Sequence, residues 1–255
     1  MYNMFNTNSI LISFIILISC IYILLIAGVY PYLERKKLAT IQRRVGPKVV
    51  GLNGRLQFLV DAVKILFKQY IHVFFIKKNF FFLLPVIFLL VNFFFLLNFI
   101  TYNNFYMYDI EYNMLFFLIN SSISSILVFL TGIFCKNKYT IIASSRSIVV
   151  FFINELILSV ILAQFVLLAG SFSFSDYILQ NSNDFGFFIW LFLIPSLFLV
   201  TLVEINKSPF DFLEAESELV MGISTEYTGF LFGIYVLIEY IHIFIFSIFL
   251  SIILI

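Results

Sequence analysis

The amino-acid sequence predicts an all-α protein that crosses a membrane several times. The chain is 62% hydrophobic and its mean hydropathy is +1.08, whereas about half of the residues in a soluble globular domain are apolar. Apolar runs of about 20 residues recur along the chain, and a helix of that length crosses the hydrocarbon core of a bilayer. These runs are continuous rather than alternating, which excludes a transmembrane β-barrel, so helices must satisfy the backbone hydrogen bonds in lipid.

We predict one membrane domain, residues 1–255, with about six transmembrane helices. The predicted spans are residues 9–33, 79–101, 112–134, 147–170, 186–205 and 229–254. Residues 55–69 lie between the first two spans, and their apolar residues recur at the i, i+3, i+4, i+7 spacing of an amphipathic helix. We expect this helix to lie in the membrane interface and residues 206–228 to form an acidic loop on the same side.

The distribution of charge supports this topology. All 15 Lys and Arg residues fall on one side of the predicted membrane topology. The charged residues in the loops on the opposite side are all acidic. By the positive-inside rule the basic side faces the mitochondrial matrix or the cytoplasm. The abundance of Phe, Tyr, Ile, Asn and Lys is typical of an AT-rich organellar gene. We therefore expect the mitochondrial inner membrane, with a bacterial plasma membrane as the alternative.

The sequence has no pattern typical of a bound cofactor. Cys20 and Cys135 are far apart and predict neither a disulfide framework nor a metal site. His72 and His242 each lack a second histidine at ligand spacing, which argues against zinc and haem. Because there is also no glycine-rich nucleotide fingerprint and no nucleophile–base pair, we expect no metal, no redox centre in this chain and no nucleic-acid partner.

Half of the acids are concentrated in one part of the chain. Seven of the 14 Asp and Glu residues fall between Glu204 and Glu239. Carboxylates at a membrane surface repel each other and repel anionic lipid, so packing alone would not select them. We expect them to hold protons, to bind a polar head group or to engage a basic partner surface.

Three acids lie within the predicted spans or at the end of one. Glu155 and Glu239 are inside spans, and Glu204 ends another. An ionised acid at a span centre costs on the order of 2.5–3.5 kcal/mol, so such a group is protonated, paired or faces a hydrated cavity. The three acids could form a proton relay if their helices meet; the alternative is neutral acids that only hydrogen-bond across helices.

Several neighbours could support these acids. Asn154 and Tyr240 are adjacent to two of them and could donate hydrogen bonds, as could Tyr227 from the loop, and Arg146 could supply compensating charge. The small residues of Ser121–Ser125 favour close helix packing.

The segment after the first span is basic and rich in turn-forming residues. Gly46-Pro47, Gly51 and Gly54 end any helix and permit tight turns. The basic residues could simply set orientation and contact anionic lipid. Together with the interfacial helix, the segment is more typical of the wall of a pocket.

Several motifs carry a resemblance to a known family. They are Leu33–Lys36, Gly46–Gly51, Asp61–Lys68, Lys138-Tyr139, Arg146, Asn154-Glu155, Glu204–Asp211, Glu216–Val220 and Glu226-Tyr227. From about residue 10 to residue 245 the chain resembles the NADH dehydrogenase subunit 1 family, the quinone-site membrane subunits of respiratory complex I.

The resemblance implies a role in proton-pumping NADH:ubiquinone oxidoreductase. Ubiquinone is the implied substrate, and NADH, FMN and the iron–sulfur clusters would be bound by partner subunits. The residues implied to line the quinone cavity are Glu34, Arg35, Arg44, Gly46, Asp61, Lys64, Phe210, Asp211, Glu226 and Tyr227. Those implied for a proton path are Glu155, Glu204, Glu214, Glu216, Glu218, Glu239, Tyr240 and Arg146.

The resemblance also implies partners. They are the quinone-site subunits of the peripheral arm on the matrix side, the small membrane subunits that link to the antiporter-like subunits, and lipid. The family usually has Arg where Lys207 stands, Gly at Ala215 and Glu at Gln69. Family members also continue beyond a sixth span, so we expect a separate chain to supply the missing C-terminal helices.

Three alternatives remain open at this point. A stand-alone proton or cation transporter predicts an inverted repeat, and no convincing repeat is present. The related subunit of a membrane-bound hydrogenase shares motifs but lacks a quinone. A purely structural anchor for the peripheral arm would not need the intramembrane acids.

Overall fold

The computed structural model of the chain describes residues 2–69, 78–97, 101–102, 105–106, 112–174, 176–177, 186–207, 209–211, 213 and 221–254. Its α-helices in these ranges are α1 (Tyr2–Ile41), α2 (Gln57–Phe67), α3 (Lys78–Leu97), α4 (Asn113–Phe134), α5 (Lys138–Ala169), α6 (Gly186–Ile205) and α7 (Phe230–Leu254). Two 3-10 turns, Leu52–Gly54 and Gly222–Glu226, lie in the connections. Two-residue strands, β1 (Thr101–Tyr102) and β2 (Phe105–Tyr106), pair antiparallel.

The prediction of an all-α polytopic membrane protein is confirmed. Five helices, α1, α3, α4, α5 and α7, are long and apolar enough to cross a membrane. Helix α6 has 20 residues, but its side chains are described only from Leu193 onward, and that part is shorter than a span. Helix α2 falls within the predicted interfacial segment, and its apolar residues Leu59, Val63 and Leu66 are exposed on the surface of the chain.

Two helices extend beyond the predicted spans. Helix α1 continues through the basic residues to Ile41, because Lys and Arg form helix readily, and it ends just before Arg43, which has a left-handed φ of 54°. Helix α5 begins at Lys138 rather than at residue 147, since Asn137 caps it by accepting a hydrogen bond from the Tyr139 backbone nitrogen at 3.2 Å. Gly170, in the left-handed conformation, ends α5.

Helices α4 and α5 approach each other closely at Gly132. A Cβ atom at this position would lie 2.2 Å from Ser144 Cβ and 2.9 Å from the Thr140 carbonyl oxygen. The Thr140 hydroxyl donates to the Gly132 carbonyl oxygen at 3.1 Å. On the same helix Ser121, Ser124 and Ser125 are buried, as predicted for small residues at a helix interface.

Aromatic side chains fill the core between α3, α4 and α7. Phe117 of α4 stacks on Phe249 of α7, with ring centroids 4.1 Å apart. Nearer the other end of α7, Tyr227 stacks on Phe81 of α3 at 4.4 Å. Cys135, which follows α4, is buried in the same cluster as Phe81 and Tyr227.

The described parts of the connections predicted to lie on the basic side meet at one end of the bundle. Arg35 of α1 forms an ion pair with Asp61 of α2 at 2.8 Å. Helix α2 also packs on the start of α7, where a Cβ atom at Gly233 would lie 2.7 Å from Ile65. The end of α1, helix α2 and the start of α7 are therefore brought together there.

The Gly132 contact generates a stability prediction. We expect Gly132→Ala to destabilise the fold by about 1–3 kcal/mol, because the new methyl group forces α4 and α5 apart. The measurement is the unfolding midpoint in detergent micelles of increasing dodecyl sulfate content. The matched control is Gly28→Ala in α1, where a Cβ atom meets only Phe58 at 3.8 Å; equal midpoints for the two variants would contradict the prediction.

Burial of Cys135 generates a reactivity prediction. Burial raises the pKa of this thiol to about 12, and the nearby Glu226 carboxylate raises it further, against a hydrogen bond to Tyr227 that lowers it. The reactive thiolate is therefore scarce at neutral pH. In a Cys20→Ser background, maleimide should leave Cys135 unmodified in the folded protein and modify it fully after denaturation, as read by peptide mass. Rapid modification of the folded protein would show the prediction to be wrong.

Candidate functional site

The candidate site surrounds the end of α6. Asn206 follows the helix with a φ of 54°, a left-handed conformation that Asn tolerates better than most residues. The turn leaves Glu204 on the last turn of α6 and directs Lys207 toward α1 and α7. One short segment thus places a carboxylate and an ammonium group in two different surroundings.

Lys207 connects two acids from different helices. Its ammonium group donates a hydrogen bond to Glu239 of α7 and lies 3.9 Å from Glu34 of α1. The Tyr240 hydroxyl donates to the other oxygen of Glu34 at 3.0 Å. Lys207 also lies over the Tyr240 ring, 5.3 Å from its centroid. The four side chains form a cluster, which we call the lysine cluster, that joins α1, α7 and the end of α6.

Glu204 is held by a neutral donor rather than a cation. It is 2% exposed, and Asn154 of α5 donates to its carboxylate at 2.9 Å and to the Val200 carbonyl oxygen at 3.1 Å. Glu155, the next residue of α5, is half-buried, interacts with Ser122 of α4 and repels the Glu204 carboxylate. The structure therefore brings Glu155 and Glu204 close together.

A cavity of about 100 Å³ lies between Glu204 and Glu239. Its walls come from α3, α4, α5, α6, α7 and the 3-10 turn Gly222–Glu226. Its polar lining residues are Ser124, Ser125, Glu204, Asn206, Ser224, Tyr235, Glu239 and His242. A cavity needs only about 10–15 Å³ to hold a water molecule, so this one has room for several beside both acids.

Two residues that do not line this cavity, Glu226 and Tyr227, anchor the turn before α7. Asn137 donates to the Glu226 carboxylate at 2.6 Å, which ties the turn to the start of α5. Tyr227 is 3% exposed, and burial raises the pKa of its hydroxyl. Glu226 and Tyr227 are both predicted for the quinone cavity, and in this chain Tyr227 lies in the packed core beside Phe81.

Most of the other residues predicted for the quinone cavity lie around the end of α1 and on α2. Asp61 accepts from Arg35 at 2.8 Å and from Gln57 at 2.9 Å, and Lys64 is exposed one turn further along α2. The chain after α1 folds back on it, since the Arg44 backbone nitrogen donates to the Ala39 carbonyl oxygen at 2.9 Å.

Other predicted residues are also placed by the structure. Gly46 approaches α1 closely: a Cβ atom there would lie 3.3 Å from that of Ala39. Phe210 and Asp211 are half-buried just after Lys207. Arg146 is exposed on α5, nine residues before Glu155 in the sequence. The loop acids Glu214, Glu216 and Glu218 lie outside the described residues.

Sequence reasoning identifies the acids but misses their partners. In the sequence, Lys207 stands out only as a departure from the family pattern. Asn154 and Tyr240 are expected to support the acids adjacent to them, whereas in the structure they donate to Glu204 and Glu34. The sequence does hold one signal for Lys207, which is the only Lys or Arg between Glu204 and Glu239. Within the described part of the chain, no group of three or more His, Cys, Asp and Glu residues could hold a metal ion.

Comparison with known proteins identifies the family. The family model described as NADH dehydrogenase matches residues 13–255. NADH-ubiquinone oxidoreductase chain 1 of Paramecium tetraurelia is 38% identical over 221 residues, which cover 87% of this chain and 85% of the relative. An NADH-quinone oxidoreductase subunit of Helicobacter acinonychis is 34% identical over 242 residues, covering 89% of this chain and 73% of the relative.

These matches confirm the family and the enzyme class that the motifs predicted, and both relatives are named as parts of an oxidoreductase rather than as transporters. The chain therefore belongs to the NADH dehydrogenase family and is a membrane subunit of an NADH:quinone oxidoreductase complex.

Proposed function

We propose that this chain lines the quinone cavity of the complex and couples quinone reduction to proton translocation through its intramembrane acids. Quinone would be reduced at the inner end of the cavity by an iron–sulfur centre of a partner subunit. The resulting change of charge at the matrix end of α1 and α2 would alter the proton affinity of Glu239, Glu204 and Glu155.

The observation that carries the proposal is the lysine cluster. Glu34 belongs to the region proposed for the quinone cavity, whereas Glu239 belongs to the proposed proton path, and Lys207 interacts with both. Because one cation is shared by two carboxylates, a change of charge at either acid alters how strongly the lysine binds the other. The cluster therefore supplies a direct electrostatic connection between the two regions.

The geometry also supports a path beyond the cluster. Glu239 and Glu204 line the same cavity, and Glu204 lies near Glu155. Three acids from three helices thus follow one another from the bundle end toward its interior. Proton transfer between carboxyl groups that do not touch requires water, and the cavity has the polar walls that hold it.

The proposed quinone side comprises the end of α1, the loop that follows it, and α2. Arg35 and Asp61 fix α2 against α1, and the exposed apolar residues of α2, such as Leu59 and Val63, suit contact with an isoprenoid chain or lipid. The proposed partners at this end are the quinone-site subunits of the peripheral arm. Small antiporter-linking membrane subunits are the proposed partners within the membrane, which we assign to the mitochondrial inner membrane.

Removing the charge of Glu239 and of Glu204 tests the coupling role. We expect Glu239→Gln and Glu204→Gln to lower proton translocation by the assembled complex about tenfold or more, because neither amide can carry a proton along the path. The measurement is proton movement into proteoliposomes at a matched rate of NADH oxidation.

Asp176→Asn is the matched control for these variants, since Asp176 is an acid beyond the C-terminal end of α5, away from the cavity. Its proton translocation should equal that of the unsubstituted chain. If both glutamate variants pump as well as the control, the chain is a structural anchor rather than a coupling subunit.

Substitution of Lys207 tests the electrostatic connection separately. We expect Lys207→Gln to lower quinone reductase activity about tenfold, because Glu34 and Glu239 then repel each other without a shared cation. Lys207→Arg retains the charge and should keep most of the activity. The measurement is NADH:quinone turnover per assembled complex, and equal losses in the two variants would show that charge is not what matters at this position.

A further inference from the structure

The imidazole of His242 is a buried group that the proposed function does not use. His242 lies on α7 and is 9% exposed. Its Nε2 atom is buried without a hydrogen-bond partner among the described residues, and its side chain forms part of the cavity wall between Glu204 and Glu239. A buried polar atom of this kind normally finds a partner in protein or in ordered water.

The other ring nitrogen has a defined partner. The imidazole hydrogen-bonds to the backbone of Glu204, and since Nε2 is unpaired, Nδ1 is the nitrogen that donates to the carbonyl oxygen. This carbonyl is in the last turn of α6, where no intrahelical donor is available. The Asn206 side-chain amide reaches the same oxygen at 3.4 Å. The bond to Nδ1 fixes the tautomer and leaves Nε2 as a hydrogen-bond acceptor without a partner among the described residues.

We propose that His242 is a proton carrier between Glu204 and Glu239, acting through water held in the cavity at Nε2. This inference rests on the proposed function, because it adds a residue to the path between the two acids. A water molecule or a protonated carboxyl group donates to Nε2: its O–H bond breaks, the oxygen keeps the electron pair, and an Nε2–H bond forms on what is now an imidazolium. The proton leaves from the same nitrogen to the next acceptor, since Nδ1 remains bonded to the Glu204 carbonyl.

The surroundings suit a carrier that is charged only briefly. The titratable groups that face the cavity with His242 are Glu204 from α6 and Tyr235 and Glu239 from its own helix. The residues contributed by α3, α4 and α5 are Phe88, Ser124, Ser125, Val128 and Phe151, none of which titrates. Apolar walls favour a neutral ring at rest, whereas the two acids and the negative end of the α6 helix dipole favour the imidazolium when it forms.

The first test is structural and needs no variant. A high-resolution density map of the assembled complex should contain ordered water within hydrogen-bonding distance of His242 Nε2. A cavity without water density overturns the proposal, because no donor could then reach this atom.

The second test is kinetic and uses His242→Gln and His242→Asn. Both amides can hydrogen-bond to the Glu204 carbonyl, but neither can hold a proton. We expect each to lower proton translocation at matched NADH oxidation about tenfold or more, and to remove the step that the imidazole contributes to the pH profile of translocation. Ser247→Ala is the control, since Ser247 is exposed on the same helix and donates only to Phe244.

The outcomes separate this inference from the function on which it rests. If Glu204→Gln and Glu239→Gln abolish translocation while both histidine variants retain the rate and pH profile of the control, the inference fails and the proposed function stands. If the glutamate variants pump normally, the proposed function itself fails. If neither histidine variant assembles, the structural test on the unsubstituted complex decides: water density at His242 Nε2 supports the inference, and its absence overturns it.

Discussion

A carboxylate cannot be buried among apolar helices unless a hydrogen-bond donor or a cation accompanies it, and the packing of α5, α6 and α7 follows from this constraint. Glu204 is almost completely buried, and Asn154 of α5 supplies its donor. Because the same amide also donates to the Val200 carbonyl oxygen, α5 and α6 are held at a fixed separation and register. The acid that would otherwise destabilise the interface thereby defines it.

At the end of α6, two residues that are three positions apart have different kinds of partner. Glu204 faces a neutral amide inside the bundle, whereas Lys207 faces two carboxylates near the bundle end. The left-handed turn at Asn206 makes this possible, since a continuing helix would have placed residues 204 and 207 on one face. The cavity occupies the space that the turn opens, and it is bounded on both sides by acids whose partners differ in charge.

Sequence reasoning predicts the helices well because long apolar runs have few alternatives in a membrane. The observed α1 and α5 extend beyond the predicted spans for one reason: hydropathy marks where charges begin, while a helix ends where the backbone is broken or capped. The residues after the predicted end of the first span are charged but form helix readily, so α1 continues until Ile41. At α5 the boundary is set by the Asn137 cap, which lies well before the apolar run of the predicted span.

The acids of the site were predictable from their cost in lipid, but their partners were not. Adjacent residues on a helix point about 100° apart, so Asn154 cannot face the same way as Glu155, nor Tyr240 the same way as Glu239. Each reaches across to another helix instead, Asn154 to Glu204 and Tyr240 to Glu34. Such pairs join residues 50 and 206 positions apart, and only the packing of the helices reveals them.

The difference between the two kinds of partner bears on how the site responds to a proton. An amide donor can hydrogen-bond to a carboxyl oxygen whether the acid is ionised or neutral, so the Asn154–Glu204 contact persists when Glu204 takes up a proton. An ammonium group is bound mainly by charge, so protonation of Glu239 weakens its hold on Lys207 and leaves Glu34 as the stronger partner. The interface of α5 and α6 is thus insensitive to protonation, whereas the link between α1 and α7 depends on it. Within the described part of the chain, the contact that depends on charge therefore lies at the end of the bundle where α1 and α2 meet α7.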